Sequence, residues 1–241
     1  MLLIYRLVFF IIIAFSIKLS GQNLTLHHYM MHSAKDLYSA PMKWTVTDYS
    51  FAAITFSAFS LAYSNDKTIM DFVQNNKGDF SYKMAFVGEK FGNGIYVGGL
   101  YSAAALITLI SPDNETYKAF YKQGFSSAFY TSAIIMGLKH IIQRKRPFMA
   151  KHPYEFGSVW NKPHYHSLPS GHTAMAFNLA SMIDMHTEKR IWGILAYSMA
   201  GLTAWSRVHD QKHWFSDVIL GGVIGTVVSR SVINSYKKRK P

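Results

Sequence analysis

The sequence predicts an all-α protein, a helical bundle of about six core helices that is membrane-embedded or membrane-associated. Of its 241 residues, 49% are apolar. The apolar residues form runs about as long as a helix, and short polar segments lie between these runs. No segment shows the strict alternation of a half-buried strand, and no internal repeat is visible. A chain of this length fits one domain with a sizeable core.

In the first half of the chain, apolar runs and their polar boundaries predict two long helices. Residues 23–43 are mixed and polar and are expected to form a surface arm, whereas the apolar segment 47–64 predicts a helix with Asp48 as its N-cap. Residues 65–93 contain charges and several glycines, and they predict short helical pieces joined by loops. The uncharged segment 94–111 predicts the next helix, which a Ser-Pro-Asp sequence ends.

In the second half, longer apolar runs alternate with polar turns. Residues 117–145 predict one long helix that Pro147 ends, because proline disrupts a helix interior. A loop rich in His, Pro and Tyr follows at 148–168. Three more helices are predicted before a basic tail, at 170–185, 191–206 and 214–236.

Residues 1–21 are typical of a secretory signal peptide or of an uncleaved N-terminal anchor. Arg6 precedes the apolar run 7–17, and the small residues Ser20 and Gly21 suit cleavage after them. With either outcome the remaining domain, 22–241, is expected to be exported or inserted into a membrane.

The charge balance and the absence of cysteine restrict the function classes. The chain has 25 Lys and Arg against 13 Asp and Glu, a formal net charge of +12. Such an excess suits an anionic partner such as a phosphate ester or an anionic lipid. No signature of a DNA- or RNA-binding module accompanies it, so a nucleic-acid partner is not expected. Without cysteine, disulfides, thiolate metal sites and thiol nucleophiles are excluded.

The stretch 206–217, S-R-V-H-D-Q-K-H-W-F-S-D, contains the first candidate catalytic residues. If a helix begins near His213, then His213 and Asp217 lie one turn apart on one face. A carboxylate there fixes the tautomer of the imidazole and leaves its other nitrogen free to act as a nucleophile or base. Arg207 adds a planar donor fork that suits phosphate oxygens.

Two cations form a second candidate feature. Lys139 and Arg146 are seven residues apart, so both are expected on one face at the end of the helix that Pro147 ends. Without the other motifs, the favoured interpretation of this pair would be cations that extend from a helix end into solvent.

A third feature is the sequence Pro-Ser-Gly-His that precedes an apolar run. It predicts a helix start with Ser170 as the N-cap, where Gly171 lets an anion approach the free backbone N–H groups. His172 would then stand in the first turn beside that anion. Taken alone, Ser170 would be an ordinary N-cap.

The three motifs, K-x6-RP, PSGH and SR-x5-H-x3-D, resemble in this order the type 2 phosphatidic acid phosphatase superfamily. That superfamily also includes bacterial non-specific acid phosphatases and vanadium haloperoxidases. The resemblance covers residues 139–217, about a third of the chain, and every motif position is matched. It implies a phosphatidic acid phosphatase type 2 domain at 22–241 with its motif core at 139–217.

The resemblance implies a metal-independent phosphatase that hydrolyses phosphate monoesters or diphosphates of lipids through a phospho-histidine intermediate. It assigns His213 as the nucleophile, Asp217 as the residue that orients it, and His172 as the general acid for the leaving group. No cofactor or metal is expected, and vanadate is expected to bind as an inhibitor. The implied phosphate-binding residues are Lys139, Arg146, Ser170, Gly171 and Arg207.

Two further activities use the same residue types. A lipid phosphotransferase passes the phosphoryl group to an acceptor lipid instead of water. A vanadate-dependent haloperoxidase holds vanadate in the same oxyanion site, although its relatives are usually much longer than 241 residues.

The predicted location is the cell envelope. The apolar runs are mostly shorter than the roughly 20 residues that a membrane span needs, so a spanning bundle and a soluble exported bundle both remain open. Where the bundle spans, the positive-inside rule favours an orientation with all three motifs outside. The active site is therefore expected on the periplasmic or outer face, with the membrane and a phosphorylated lipid as partners.

Overall fold

The computed structural model describes residues 26–158 and 163–238, which form nine α-helices and three short 3-10 turns. The predicted signal peptide or anchor at 1–21 lies outside the described residues. The all-α prediction is confirmed, and in the described ranges the one β-bridge joins Arg144 to Phe156. In chain order the helices are α1 Leu26–Ser39, α2 Val46–Ser64, α3 Asp66–Asn75, α4 Asp79–Phe91, α5 Gly94–Ile110, α6 Glu115–Ile142, α7 Gly171–His186, α8 Arg190–His209 and α9 Phe215–Lys237.

Helix α7 is the central helix and packs against α6, α8 and α9. A Cβ atom on Gly225 of α9 would overlap the backbone of Ala174 and Asn178, so glycine is what allows these two helices to approach so closely. Gly221 of α9 meets the carbonyl of Ser170 in the same way. This contact places the N-terminal end of α9 beside that of α7.

The end of α6 differs from the sequence prediction. Helix α6 stops at Ile142 because Gln143 adopts a left-handed conformation, with φ 52° and ψ 42°. Arg146 follows in an extended conformation, with φ −73° and ψ 148°. The prediction that Lys139 and Arg146 share one helical face, with Pro147 ending the helix, is therefore wrong. Lys139 lies in the last turn of α6, and Arg146 lies in the loop after it.

The segment predicted as a surface arm, 23–43, contains helix α1 instead. This helix packs against α6 and α9, and the hydroxyl of Tyr130 in α6 donates a hydrogen bond of 2.6 Å to the carbonyl of Met30. The arm prediction is wrong because polar residues concealed an inward face with helical spacing. That face comprises Leu26, Met30, Ser33 and Leu37.

Helix α2 begins one position earlier than predicted and is capped differently. Thr45 is the N-cap, and Asp48 is its partner in a capping box, with the Asp48 carboxylate accepting from the Thr45 N–H at 2.7 Å. Ala62 is the one residue of α2 that is buried. Apolar side chains of this helix therefore stay exposed, among them Ile54 at 68% and Phe56 at 71%. Such a large apolar surface is typical of contact with a membrane or another protein.

Within the described ranges, one helix, Phe215–Lys237, meets the length and hydropathy needed to cross a membrane. The helices Asp79–Phe91 and Gly94–Ile110 meet the same criteria together, although they are bent by 49° at their junction. Because 56% of the apolar stretch in Phe215–Lys237 is buried inside the protein, that helix also serves as part of the core.

Candidate active site

Four helix ends meet at one end of the bundle, the C-terminal ends of α6 and α8 and the N-terminal ends of α7 and α9. The Ser170 N–H donates to the Asp217 carbonyl at 2.9 Å, and the His213 N–H donates to the Arg207 carbonyl at 3.2 Å. Helix N-termini present N–H groups without helical partners, which favour an anion. The structure brings together here all the residues that the sequence predicts for the site: Lys139, Arg146, Ser170, Gly171, His172, Arg207, His213 and Asp217.

Ser170 is the N-cap of α7, as predicted, and its hydroxyl accepts from the Thr173 N–H at 3.4 Å and from the Thr173 hydroxyl at 2.9 Å. Ser170 is also one of the implied phosphate-binding residues, but its own N–H donates to the carbonyl of Asp217. The N–H groups left for an anion are therefore those of Gly171 and His172, at the start of α7.

Lys139 is tethered to the loop that leads into α7. Its Nζ donates to the carbonyls of His166 at 2.6 Å and Ser167 at 3.2 Å, and the residue is only 7% exposed. Burial, with the nearby Arg146, lowers the pKa of Lys139 to about 7, and Asp217 opposes that shift. Because an ammonium group has three donors, one remains for a bound anion.

Arg146, in the loop after α6, and Arg207, in the last turn of α8, approach the same point. Arg146 donates its N–H to the carbonyl of His164, while its side-chain Nε is buried and has no partner among the described residues. Arg207 is 4% exposed, and its Nη2 donates a hydrogen bond of 3.0 Å to Oδ2 of Asp210. A buried guanidinium group with an unused donor is a suitable place for a phosphate oxygen.

His172, the second residue of α7, is surrounded by positive charge. Burial and then the cations Arg207, Arg146 and Lys139 lower the pKa of His172 to about 4. The protonated imidazole is therefore disfavoured as long as no anion offsets those charges. A bound phosphate would supply that offset, which suits a group that donates a proton after the substrate has bound.

His213 precedes α9 instead of beginning it, yet its ring still lies close to Asp217. The Nδ1 atom is 3.6 Å from Oδ2 of Asp217, which is longer than a hydrogen bond. His213 is 3% exposed, and this burial lowers its pKa to about 3, against the opposing effect of Asp217. The ring is therefore neutral over the ordinary pH range, and a neutral imidazole is the form that can attack phosphorus.

Asp217 accepts hydrogen bonds from three groups other than His213. Oδ2 accepts from the Ser167 hydroxyl at 2.5 Å and from the Trp214 N–H at 2.9 Å, and Oδ1 accepts from Nη1 of Arg144 at 2.7 Å. Arg144 also contacts Asp66, and both side chains are fully buried. Sequence reasoning missed Ser167, Arg144 and Asp66.

Comparison with known proteins agrees with the family that the three motifs resemble. A family model described as the PAP2 superfamily matches residues 123–241. A lipid A 1-phosphatase from Porphyromonas gingivalis is 38% identical over 64 residues, which are 26% of this chain and 14% of the relative. An undecaprenyl-diphosphatase from Sulfolobus acidocaldarius is 32% identical over 102 residues, which are 42% of this chain and 48% of the relative. The chain thus spans less than half of the length of either relative.

Two crystal structures have a similar fold. One is a transmembrane PAP2-type phosphatidylglycerolphosphate phosphatase from Bacillus subtilis, with a TM-score of 0.60 at 20% identity, covering 78% of this chain and 96% of that chain. The other is LpxE from Aquifex aeolicus, with a TM-score of 0.51 at 24% identity, covering 70% of this chain and 93% of that chain. These similarities support the helical bundle as the common architecture.

Proposed function

Residues 123–241 belong to the PAP2 superfamily, and on that premise we propose that the protein is a phosphatase of lipid phosphates or lipid diphosphates. The matched relatives named for lipid A and undecaprenyl diphosphate support a phosphorylated lipid as the substrate class. The observation that carries the proposal is the convergence of Lys139, Arg146 and Arg207 on His172, with the neutral His213 beside them.

The three cations suit the charge of a phosphate ester. A phosphoryl group in transfer spreads negative charge over its equatorial oxygens, and catalysis depends mainly on positioning and on neutralising that charge. That charge is neutralised by the ammonium group of Lys139 and by the guanidinium groups of Arg146 and Arg207. The N–H groups at the start of α7 are further donors. In this proposal, no metal ion is needed for charge neutralisation.

The first proposed step forms a phospho-histidine. Because Nδ1 of His213 faces Asp217, Nε2 is the nitrogen that attacks phosphorus, and the bond from phosphorus to the ester oxygen breaks. The leaving oxygen takes the proton of His172, so the lipid departs as an alcohol or, from a diphosphate, as a monophosphate. Asp217 stabilises the positive charge that develops on the ring of His213.

The second proposed step releases phosphate. A water molecule attacks phosphorus and His172, now neutral, takes its proton, while the bond between phosphorus and Nε2 of His213 breaks. Inorganic phosphate leaves, and both histidines return to their initial protonation states. Transfer to an acceptor lipid would differ only in that an alcohol replaces the water.

The proposed location is the cell envelope, with the site on the periplasmic or outer face of a membrane. The N-terminal sequence pattern at 1–21 and the exposed apolar helix α2 support export and membrane contact. A lipid substrate would then reach the site from the membrane in which the protein resides.

The proposal is tested by phosphate release from a panel of soluble and lipid phosphates, with and without EDTA and vanadate. We expect release from lipid phosphates that survives EDTA, stops with vanadate and is lost in His213→Ala. Acid quenching during turnover should trap labelled phosphate on the wild type but not on that variant. Complete loss with EDTA that zinc or magnesium restores would refute the metal-free mechanism. Transfer of label to an alcohol in place of water would identify a phosphotransferase.

A further inference from the structure

Asp66, Arg144 and Asp217 form a buried array of charges behind His213. All three side chains have no exposed surface. Nη2 of Arg144 lies 2.7 Å from Oδ2 of Asp66, and Nη1 lies 2.7 Å from Oδ1 of Asp217. Removing charges from water is costly, so a fully buried array of this kind is unusual unless it has a function besides stability.

Ser216, the second residue of α9, forms hydrogen bonds to both Asp66 and Arg144. Its hydroxyl donates to Oδ2 of Asp66 at 2.6 Å and accepts from Nη1 of Arg144 at 2.7 Å, and its N–H donates to Oδ1 of Asp66 at 2.8 Å. Nε of Arg144 donates to the carbonyl of Pro153 at 2.9 Å. The array therefore ties the first turn of α3 to the first turn of α9, one residue away from Asp217.

We propose that Asp66 and Arg144 are positioning residues for the reaction at His213 and act through Asp217. This inference rests on the proposed phosphatase function. Arg144 holds Oδ1 of Asp217, which keeps Oδ2 turned towards His213 and Ser167. Asp66 shares the positive charge of Arg144, so Asp217 is not neutralised completely. Enough negative charge remains on Asp217 to stabilise His213 as it becomes positive during attack.

Two anions distinguish positioning from a merely structural role. Inorganic phosphate binds through the cations of the site, whereas vanadate can also accept the nitrogen of His213 as an axial ligand and so resembles the transition state. A change that misplaces His213 therefore weakens vanadate binding and lowers kcat. The same change leaves phosphate binding and KM close to the wild-type values.

The test compares vanadate and phosphate inhibition constants of the full chain for the wild type, Asp66→Asn and Ser216→Ala. Asp66→Asn keeps the shape of the side chain and an acceptor for the Ser216 N–H, and Ser216→Ala removes only one hydroxyl, so neither variant leaves a large cavity. For Asp66→Asn we expect the vanadate inhibition constant to rise by about ten- to a hundredfold. This is the loss in affinity that typically follows when a residue that orients a metal-binding histidine is replaced. Ser216→Ala should shift it in the same direction by a smaller factor.

Asn178→Ala is the matched control, because it disrupts a buried polar cluster that does not contact Asp217. The Asn178 side chain donates to Thr131 at 2.9 Å and accepts from Ser127 at 3.1 Å. This variant should lose thermal stability while its ratio of vanadate to phosphate constants stays at the wild-type value. The positioning role would be overturned if, in Asp66→Asn and Ser216→Ala, the vanadate and phosphate inhibition constants changed by the same factor. It would also be overturned if neither constant changed. A wild type that hydrolyses no phosphate ester and binds neither anion would instead refute the phosphatase proposal itself.

Discussion

Nδ1 of His213 lies 3.6 Å from Oδ2 of Asp217, and that oxygen already accepts hydrogen bonds from Ser167 and from the Trp214 N–H. Asp217 is thus more than a partner for the imidazole. It fastens the loop before α7 through Ser167, the start of α9 through Trp214, and Arg144 through its other oxygen. A substitution at Asp217 should therefore affect stability as well as catalysis.

Asp217→Asn should lower both activity and stability, whereas His213→Gln should lower activity alone. The amide that replaces the carboxylate has one acceptor oxygen, so its NH2 group must face a donor, either Arg144 or the Ser167 and Trp214 pair. Breaking a buried ion pair in this way costs about 3–5 kcal/mol of the free energy of unfolding. Thermal unfolding and phosphate release should be measured on the same preparations. An Asp217→Asn protein as stable as the wild type would show that these hydrogen bonds contribute little.

The sequence predicts which residues form the site better than it predicts the helix or loop that holds each of them. Lys139, Arg146 and His213 were identified from local motifs, because spacing within a motif is visible in a single sequence. The prediction that Arg146 shares a helical face with Lys139 is wrong, since a left-handed Gln143 ends α6 before Arg146. No local pattern could show that Asp66 contacts Ser216, which is 150 residues away along the chain.

Arg207→Lys should not behave as a conservative substitution. Lysine keeps the charge but loses the planar fork that contacts Asp210 at 3.0 Å and offers further donors to phosphate. We expect a loss of about 2–4 kcal/mol of transition-state stabilisation, as for one lost oxyanion donor. The measurement is kcat/KM on a lipid phosphate. Arg230→Lys, on an exposed side chain near Asp184, is the control that should stay at the wild-type rate; equal rates for the two variants would make Arg207 an ordinary cation.

Acidification should destabilise the folded protein through His213. Its pKa is about 3 when folded and about 6.5 when unfolded, so between these values the unfolded chain binds a proton that the folded chain does not. The contribution of His213 to the free energy of unfolding is therefore constant above pH 6.5 and falls as the pH drops below it, by about 2 kcal/mol at pH 5. Thermal unfolding at pH 7 and pH 5 measures this, and His213→Gln should have a shallower dependence. An unchanged slope in that variant would mean that other groups cause the acid sensitivity.

The pH dependence of kcat/KM should identify the proton donor. In the free enzyme the pKa of His172 is about 4, so the protonated fraction falls about tenfold for each pH unit above that value. We therefore expect kcat/KM for a lipid phosphate to decline steadily from acid to neutral pH. A profile that stays level until about pH 7 would instead assign the proton to Lys139, whose pKa is about 7.

His172→Ala should fail differently from His213→Ala, although the two histidines lie in one site. In the proposed mechanism His213 attacks phosphorus, so its loss should abolish hydrolysis of every substrate. His172 is proposed to protonate the leaving oxygen, which matters for a poor leaving group such as a lipid alkoxide and little for an activated aryl phosphate that departs without a proton.

The expected gap between those substrates is large enough to measure. General acid catalysis contributes about a hundred- to ten-thousandfold, so His172→Ala should lose that factor on a lipid phosphate and much less on an aryl phosphate. Both variants should be assayed on both substrates, after circular dichroism has shown that their helicity matches the wild type. The roles would be reversed if His172→Ala kept its lipid activity while His213→Ala still hydrolysed the aryl substrate. The reason is that only the nucleophile is needed whatever the leaving group.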